Sequence, residues 1–115
     1  MARSSSNLGL GALALAIAAI PLASAVAAGE EAKLADEQMV KGRQLFTDNS
    51  CVQCHTLADA SAQGSIGPAL DGNAKLDKAT VIDRITNGQG AMPSFGWLST
   101  EDIDLLAGYV LQAKK

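Results

Sequence analysis

The chain has 115 residues, 48% of them apolar, which leaves room for one small domain and excludes a second. Nine Lys and Arg stand against twelve Asp and Glu, for a formal net charge of −3. With no cluster of basic residues, nucleic acid is not expected as a partner, whereas a modest acidic excess supports solubility and steering toward a basic surface.

Hydrophobicity is concentrated at the N-terminus. Residues 1–28 carry a single charge, Arg3, followed by polar Ser4 to Asn7, an uncharged run from Leu8 to Ile20, the breaker Pro21, and small residues including Ala25, Val26 and Ala27. That order is the order of a secretory signal peptide, with cleavage expected after Ala27 or Ala28. The run from Leu8 to Ile20 is shorter than the roughly 20 residues needed to span a hydrocarbon core. The alternative is an uncleaved anchor extended through Leu22 to Ala28. Once the leader is removed, no stable membrane insertion is expected, and residues 29–115 form the domain. At that size a core with only four aromatics, Phe46, Phe95, Trp97 and Tyr109, needs a staple. A disulfide between Cys51 and Cys54 would close too short a loop to serve.

In chain order, the pattern from Glu30 to Asn49 predicts a first helix. Asp36 is able to cap an N-terminus, and Met39, Val40, Leu45 and Phe46 share one broad face. Ala58 to Lys75, with Gly64, Gly67, Pro68, Gly72 and Asn73, reads as a loop wrapped around something. Asp77 caps a short helix whose stripe is Val81, Ile82 and Ile85, ended by Asn87 and Gly88. A Gly-rich loop follows from Gly88 to Gly96. Ser99 with Asp102 resembles a capping box and opens the last helix, where Ile103, Leu106, Ala107 and Val110 recur at helical spacing to about Ala113. No alternation predicts a strand pair. The expected fold is all-α.

Cys51-Val52-Gln53-Cys54-His55 is the attachment pattern of a c-type haem. Thiols three residues apart on a helical turn reach two vinyl groups on one edge of a porphyrin, and the next residue turns its imidazole toward the iron. His55 is the only histidine, so a second imidazole from this chain is excluded. Two other readings use the same pair. Structural zinc wants four protein ligands where three are present, and a redox dithiol wants a βαβ setting that the helical pattern does not offer.

A second axial ligand must then come from Met39 or Met92. Met39 lies within the first helix and reads as core filler. Met92 sits among Gly88, Gly90 and Gly96, which let backbone approach a flat cofactor, and Pro93 biases it to extended geometry. It reads as a ligand, the alternative being a packing Met beside an open iron.

The whole of residues 29–115 resembles the class I monohaem c-type cytochromes, and among them the small soluble cytochromes of cyanobacterial and algal photosynthesis and their bacterial relatives. The segments that carry the likeness are the haem motif, Asn87-Gly88-Gln89-Gly90-Ala91-Met92-Pro93-Ser94-Phe95, Leu98-Ser99, and Ala107-Gly108-Tyr109-Val110-Leu111. The resemblance implies a cytochrome c fold of three to four helices around one haem c held by two thioethers. It implies Cys51 and Cys54 as anchors, His55 as proximal ligand and Met92 as distal ligand. In Gly67-Pro68-Ala69-Leu70 it implies that the Pro68 carbonyl accepts from the imidazole, raising its basicity, and that Leu70 presses on the ring; the alternative is that Pro68 only ends a turn. It further implies that Gly42 and Phe46 cross the last helix at Tyr109. Trp97 departs from the photosynthetic relatives. Either it donates to a haem propionate or covers the haem edge, or it packs on the surface.

The implied function is a periplasmic one-electron shuttle and not an enzyme. A nitrogen and a thioether on the iron, in an apolar pocket, raise the potential. Its donor would be a dehydrogenase or quinol-oxidising complex, and its acceptor an oxidase, a peroxidase or a photosynthetic reaction centre, met in brief contacts of less than about 1,200 Å². A second reading is the haem c subunit of a periplasmic dehydrogenase. A third, a ligand-binding sensor or small peroxidase, requires Met92 to leave the iron.

Overall fold

A computed structural model describes residues 32–115, together with Gly11 and Ala16 taken singly. The expected signal peptide lies outside the described residues. The described helices and the core belong to the compact unit Glu31–Lys115.

Three α-helices build the core: α1 (Asp36–Asp48), α2 (Lys78–Asn87) and α3 (Thr100–Ala113). α1 starts later than the sequence pattern predicts. Residues 32–35 are non-helical because the backbone there is bonded elsewhere. Leu34 N donates to Gln112 Oε1 (2.8 Å), and Gln112 Nε2 donates to Leu34 O (3.3 Å). Ala35 is the N-cap residue, and its N–H is taken by Gln38 Oε1 at 3.0 Å. Asp36 therefore does not cap; with Glu37 it places negative charge in the first turn, where the helix dipole favours it. Val40 also departs from the expected face, since it is 61% exposed. The buried line on α1 is Gly42 and Phe46, and Val40 is rotated away from it at 100° per residue.

The other two helices start where their caps predict. Asp77 Oδ1 accepts from Thr80 N (2.8 Å) at the head of α2, and Ser99 Oγ accepts from Asp102 N (3.1 Å) at the head of α3. Val81 and Ile85 on α2, and Ile103, Leu106, Ala107 and Val110 on α3, are buried. Met39, as expected, packs half-buried against this core.

α1 crosses α3 at Gly42. A Cβ there would lie 2.4 Å from Tyr109 Cβ, so only glycine lets the helices meet this closely. Phe46 and Tyr109 stack edge to face, with centroids 6.0 Å apart. Tyr109 is wholly buried, and its hydroxyl donates to Asp59 Oδ2 (2.6 Å), which is also paired with Arg43 Nη2 at 2.9 Å. The hydrogen bond from Tyr109, joined by Arg43, holds the Asp59 carboxyl below the ordinary aspartate range. Burial, reinforced by Asp59, pushes the Tyr109 hydroxyl up. This triad ties α1, α3 and the intervening loop together, and is one staple that a small core requires.

Contrary to the expectation of no strand pair, the chain forms a short antiparallel pair, β1 (Thr56–Leu57), just before the segment expected to be loop, and β2 (Ala62–Gln63), inside it; Thr56 faces Gln63 and Leu57 faces Ala62. Two residues per strand give no alternation to read. Tertiary burial of Leu57 and Ala62 makes the pair.

Candidate haem site

The Cys51-to-His55 motif begins as a turn of 3₁₀ helix at Cys51–Gln53, after Ser50 in the left-handed conformation (φ 62°). The β1–β2 pair then folds the chain back along it. Gly64 N donates to His55 O (3.0 Å), and Gly67 N donates to Cys54 O (2.7 Å). Both glycines are required by contact: a Cβ on Gly64 would lie 2.5 Å from the Cys54 carbonyl carbon, and one on Gly67 would lie 2.7 Å from His55 Cε1.

This return path brings Pro68 to the imidazole. Pro68 O lies 2.7 Å from His55 Nδ1. A carbonyl only accepts, so Nδ1 carries the proton of this bond and Nε2 is the ring nitrogen left for a ligand. The bond also fixes the plane of the ring.

His55, Cys51, Cys54, Pro68, Leu70 and Met92 all line one cavity of about 520 Å³, within the roughly 300–1,000 Å³ typical of cofactor sites. The rest of its wall is mainly apolar: Phe46 from α1, Val81 and Ile85 from α2, Leu106 and Val110 from α3. Arg84 is the one permanently charged side chain on this wall, and it pairs with neighbouring Asp83 (2.5 Å). Leu70 is buried. Met92 is half-buried and held in a tight loop: Gln89 and Met92 exchange N–H···O bonds, each 3.0 Å, around Gly90 at φ 58°.

Cys51 and Cys54 are half-buried thiols, and burial pushes Cys51 up to about 11. That is the direction of an inert thiol, opposite to the activated thiolate of an exchange site. Among the described residues no group of three or more His, Cys, Asp and Glu side chains is arranged to hold a metal ion. A flat, apolar cofactor fits what is present: one lone-pair nitrogen, one thioether and two thiols around an apolar volume, with Gly67 leaving room beside the imidazole.

Trp97 is 72% exposed, tilted against Phe95 with centroids 6.5 Å apart. Phe95 lines the cavity, and Trp97 stands beside it on the surface, outside the cavity wall. Gly64, which the chain needs here for close approach, is signalled in the sequence only by its place among the glycines of Ala58 to Lys75.

Comparison with known proteins bears on the family. Residues 37–110 match the family described as cytochrome c oxidase, cbb3-type, subunit III. A cytochrome c6 from Synechocystis sp. is 36% identical over 76% of this chain and 74% of its own length. A cytochrome c6 from Picosynechococcus sp. is 38% identical over 84% of this chain and 89% of its own. Among solved structures, the c-type cytochrome SorU from Sinorhizobium meliloti superposes with a TM-score of 0.62 at 39% identity, covering 69% of this chain and 93% of SorU. Three helices around one apolar cavity, a histidine oriented by a backbone carbonyl and these likenesses agree: the chain belongs to the c-type cytochromes, has their all-α fold, and serves electron transfer through covalently bound haem c.

Proposed function

We propose that this protein is an exported, freely diffusing one-electron carrier of the periplasm, and not an enzyme. His55 and Met92 would hold its haem iron, and Cys51 and Cys54 would anchor the haem through thioethers. The observation that carries the ligand assignment is the 2.7 Å contact between His55 Nδ1 and Pro68 O. It leaves Nε2 as the donor atom in a cavity that Met92 also lines.

The haem supplies reversible exchange of one electron between its ferrous and ferric states. The chain supplies everything else. Pro68 holds the His55 ring in one orientation and one tautomer, so the ligand does not reorganise as charge changes. Met92, presented by the Gln89–Met92 turn on the cavity wall, would hold the iron through its thioether and keep substrate from it. Val81, Ile85, Leu106 and Val110 surround the site with apolar surface, which disfavours extra positive charge and, with a thioether ligand, raises the potential.

Export is supported by the order of charge, apolar run and small residues in positions 1–28. Among the described residues no helix is long and apolar enough to cross a membrane. The acidic balance suits brief encounters with basic faces of donor and acceptor redox proteins.

Met92→Ala tests the assignment. In protein matured by a haem-attaching host, covalent haem is retained, the near-infrared sulfur-to-iron band of the oxidised form is lost, the potential falls, and the reduced form binds carbon monoxide. An unchanged spectrum and potential refute Met92 as ligand. Intact mass after export, lacking residues 1–28 and gaining one haem, tests cleavage and attachment together. Elution as a free monomer, and not with a dehydrogenase, tests the shuttle.

A further inference from the structure

The Met92 loop is fastened to α2 by a device the haem chemistry does not require. α2 ends at Asn87, with Gly88 at φ 70°, and a helix end leaves its last carbonyls without intrahelical partners. Two of them are claimed by the chain just beyond Met92. Phe95 N donates to Ile85 O (2.8 Å), and the Ser94 hydroxyl donates to Thr86 O (2.5 Å). The same hydroxyl accepts from Gly96 N (3.2 Å), so it joins the helix end to the strand returning from Met92.

Two glycines make room for this. A Cβ on Gly88 would lie 2.5 Å from Met92 O, and one on Gly96 would lie 3.0 Å from Thr86 O. Pro93 has no N–H to give. On the far side of Met92, therefore, the first side chain able to tie the loop down is Ser94. The tie runs to rigid ground, because Ile85, beside Thr86, is buried and lines the cavity.

We propose that Ser94 is a positioning residue for the distal thioether, a latch that sets how readily Met92 leaves the iron; this rests on Met92 being the axial ligand. With the latch closed, Met92 is referenced to α2. With it open, the segment from Gly90 to Gly96 is held by backbone bonds alone, and the coordination site is uncovered more often.

The test uses the oxidised holoprotein and imidazole, which binds iron only when the thioether is away, followed by loss of the sulfur-to-iron band. Apparent affinity scales with the open population. One hydrogen bond of ordinary net worth, roughly 0.5–1.5 kcal/mol, makes Ser94→Ala bind imidazole about two- to twelvefold more tightly. Ser94→Thr, which keeps the hydroxyl, restores the original affinity. In a Met92→Ala background, where nothing is left to latch, Ser94→Ala has no further effect. An unchanged affinity in Ser94→Ala, a failure of Ser94→Thr to restore it, or an equal shift with Met92 already removed overturns the latch. If Met92→Ala itself keeps the band and the wild-type imidazole affinity, the ligand assignment fails, and the latch with it. A band lost in Met92→Ala beside a wild-type response in Ser94→Ala refutes the latch alone.

Discussion

Gly67→Ala is the most pointed perturbation of the site, because it adds one methyl group against the imidazole and changes no charge. Gly67 has no left-handed backbone angle, so alanine meets no backbone strain there and the effect is steric. The new Cβ would lie 2.7 Å from His55 Cε1, 3.0 Å from Nδ1 and 3.2 Å from Nε2, where ordinary contact begins near 3.4 Å. Gly67 cannot retreat freely, since its N–H is bonded to Cys54 O at 2.7 Å, so the ring must give by roughly 0.7 Å. That movement strains the 2.7 Å bond to Pro68 O toward the long, weak end of hydrogen-bond geometry. Overpacking of this kind costs about 1–3 kcal/mol, and the weakened bond adds up to about 0.5–1.5 kcal/mol. Gly67→Ala is therefore expected to destabilise the holoprotein by roughly 2–4 kcal/mol, a drop of about 10–30 °C in Tm for a domain of this size. It is also expected to raise the potential, because an imidazole whose bond to the carbonyl is weakened is less basic and favours ferric iron less. Chemical denaturation and a spectroelectrochemical titration of the same sample read both effects. Wild-type stability with an unchanged potential refutes the claim that Gly67 clears space for an oriented His55.

Three further outcomes follow from the packing. Gly42→Ala gains about 1 kcal/mol of helix propensity but sets Cβ 2.4 Å from Tyr109 Cβ. A net loss of up to about 2 kcal/mol is expected, read as a lower denaturant midpoint, and a stabilised variant would show that α1 and α3 separate without cost. Asp59 is held below its ordinary pKa first by Tyr109 and then by Arg43, so its contribution is complete above the unfolded value near 3.9 and lost as pH falls through the lower folded value. Asp59→Asn is expected to cost roughly 1–3 kcal/mol at neutral pH and to flatten the acid limb of stability against pH; an acid limb of wild-type slope refutes this. Gln112→Ala removes both bonds to Leu34 and is expected to cost about 1–2 kcal/mol. Amide exchange should quicken at Leu34, while the potential stays unchanged because neither residue lines the haem cavity.

Several elements were legible because their physics is local. Asp77 and Ser99 cap the helices they precede, since a cap bond spans three residues. The stripes Val81–Ile85 and Ile103–Val110 follow from helical period alone. The start of α1 was misplaced because its competitor is distant: Gln112 takes the backbone of Leu34 across 78 positions. The β1–β2 pair was invisible because two-residue strands carry no period, and the burial of Leu57 that makes the pair is a property of the assembled core.

By itself the sequence determined that two thiols and an imidazole stand within five residues, that one methionine lies among glycines downstream, and that three helices flank them. Those facts depend only on covalent order and on bonds three or four residues long. Tertiary structure decided which nitrogen of His55 is free, because the carbonyl that fixes it belongs to Pro68, thirteen residues away. It likewise decided that Tyr109 meets Asp59 across fifty positions, and that Ser94 closes on Thr86. Each of these contacts requires a loop to close, and many closures of similar entropic cost compete for any one chain. Only the packing of the whole core selects among them.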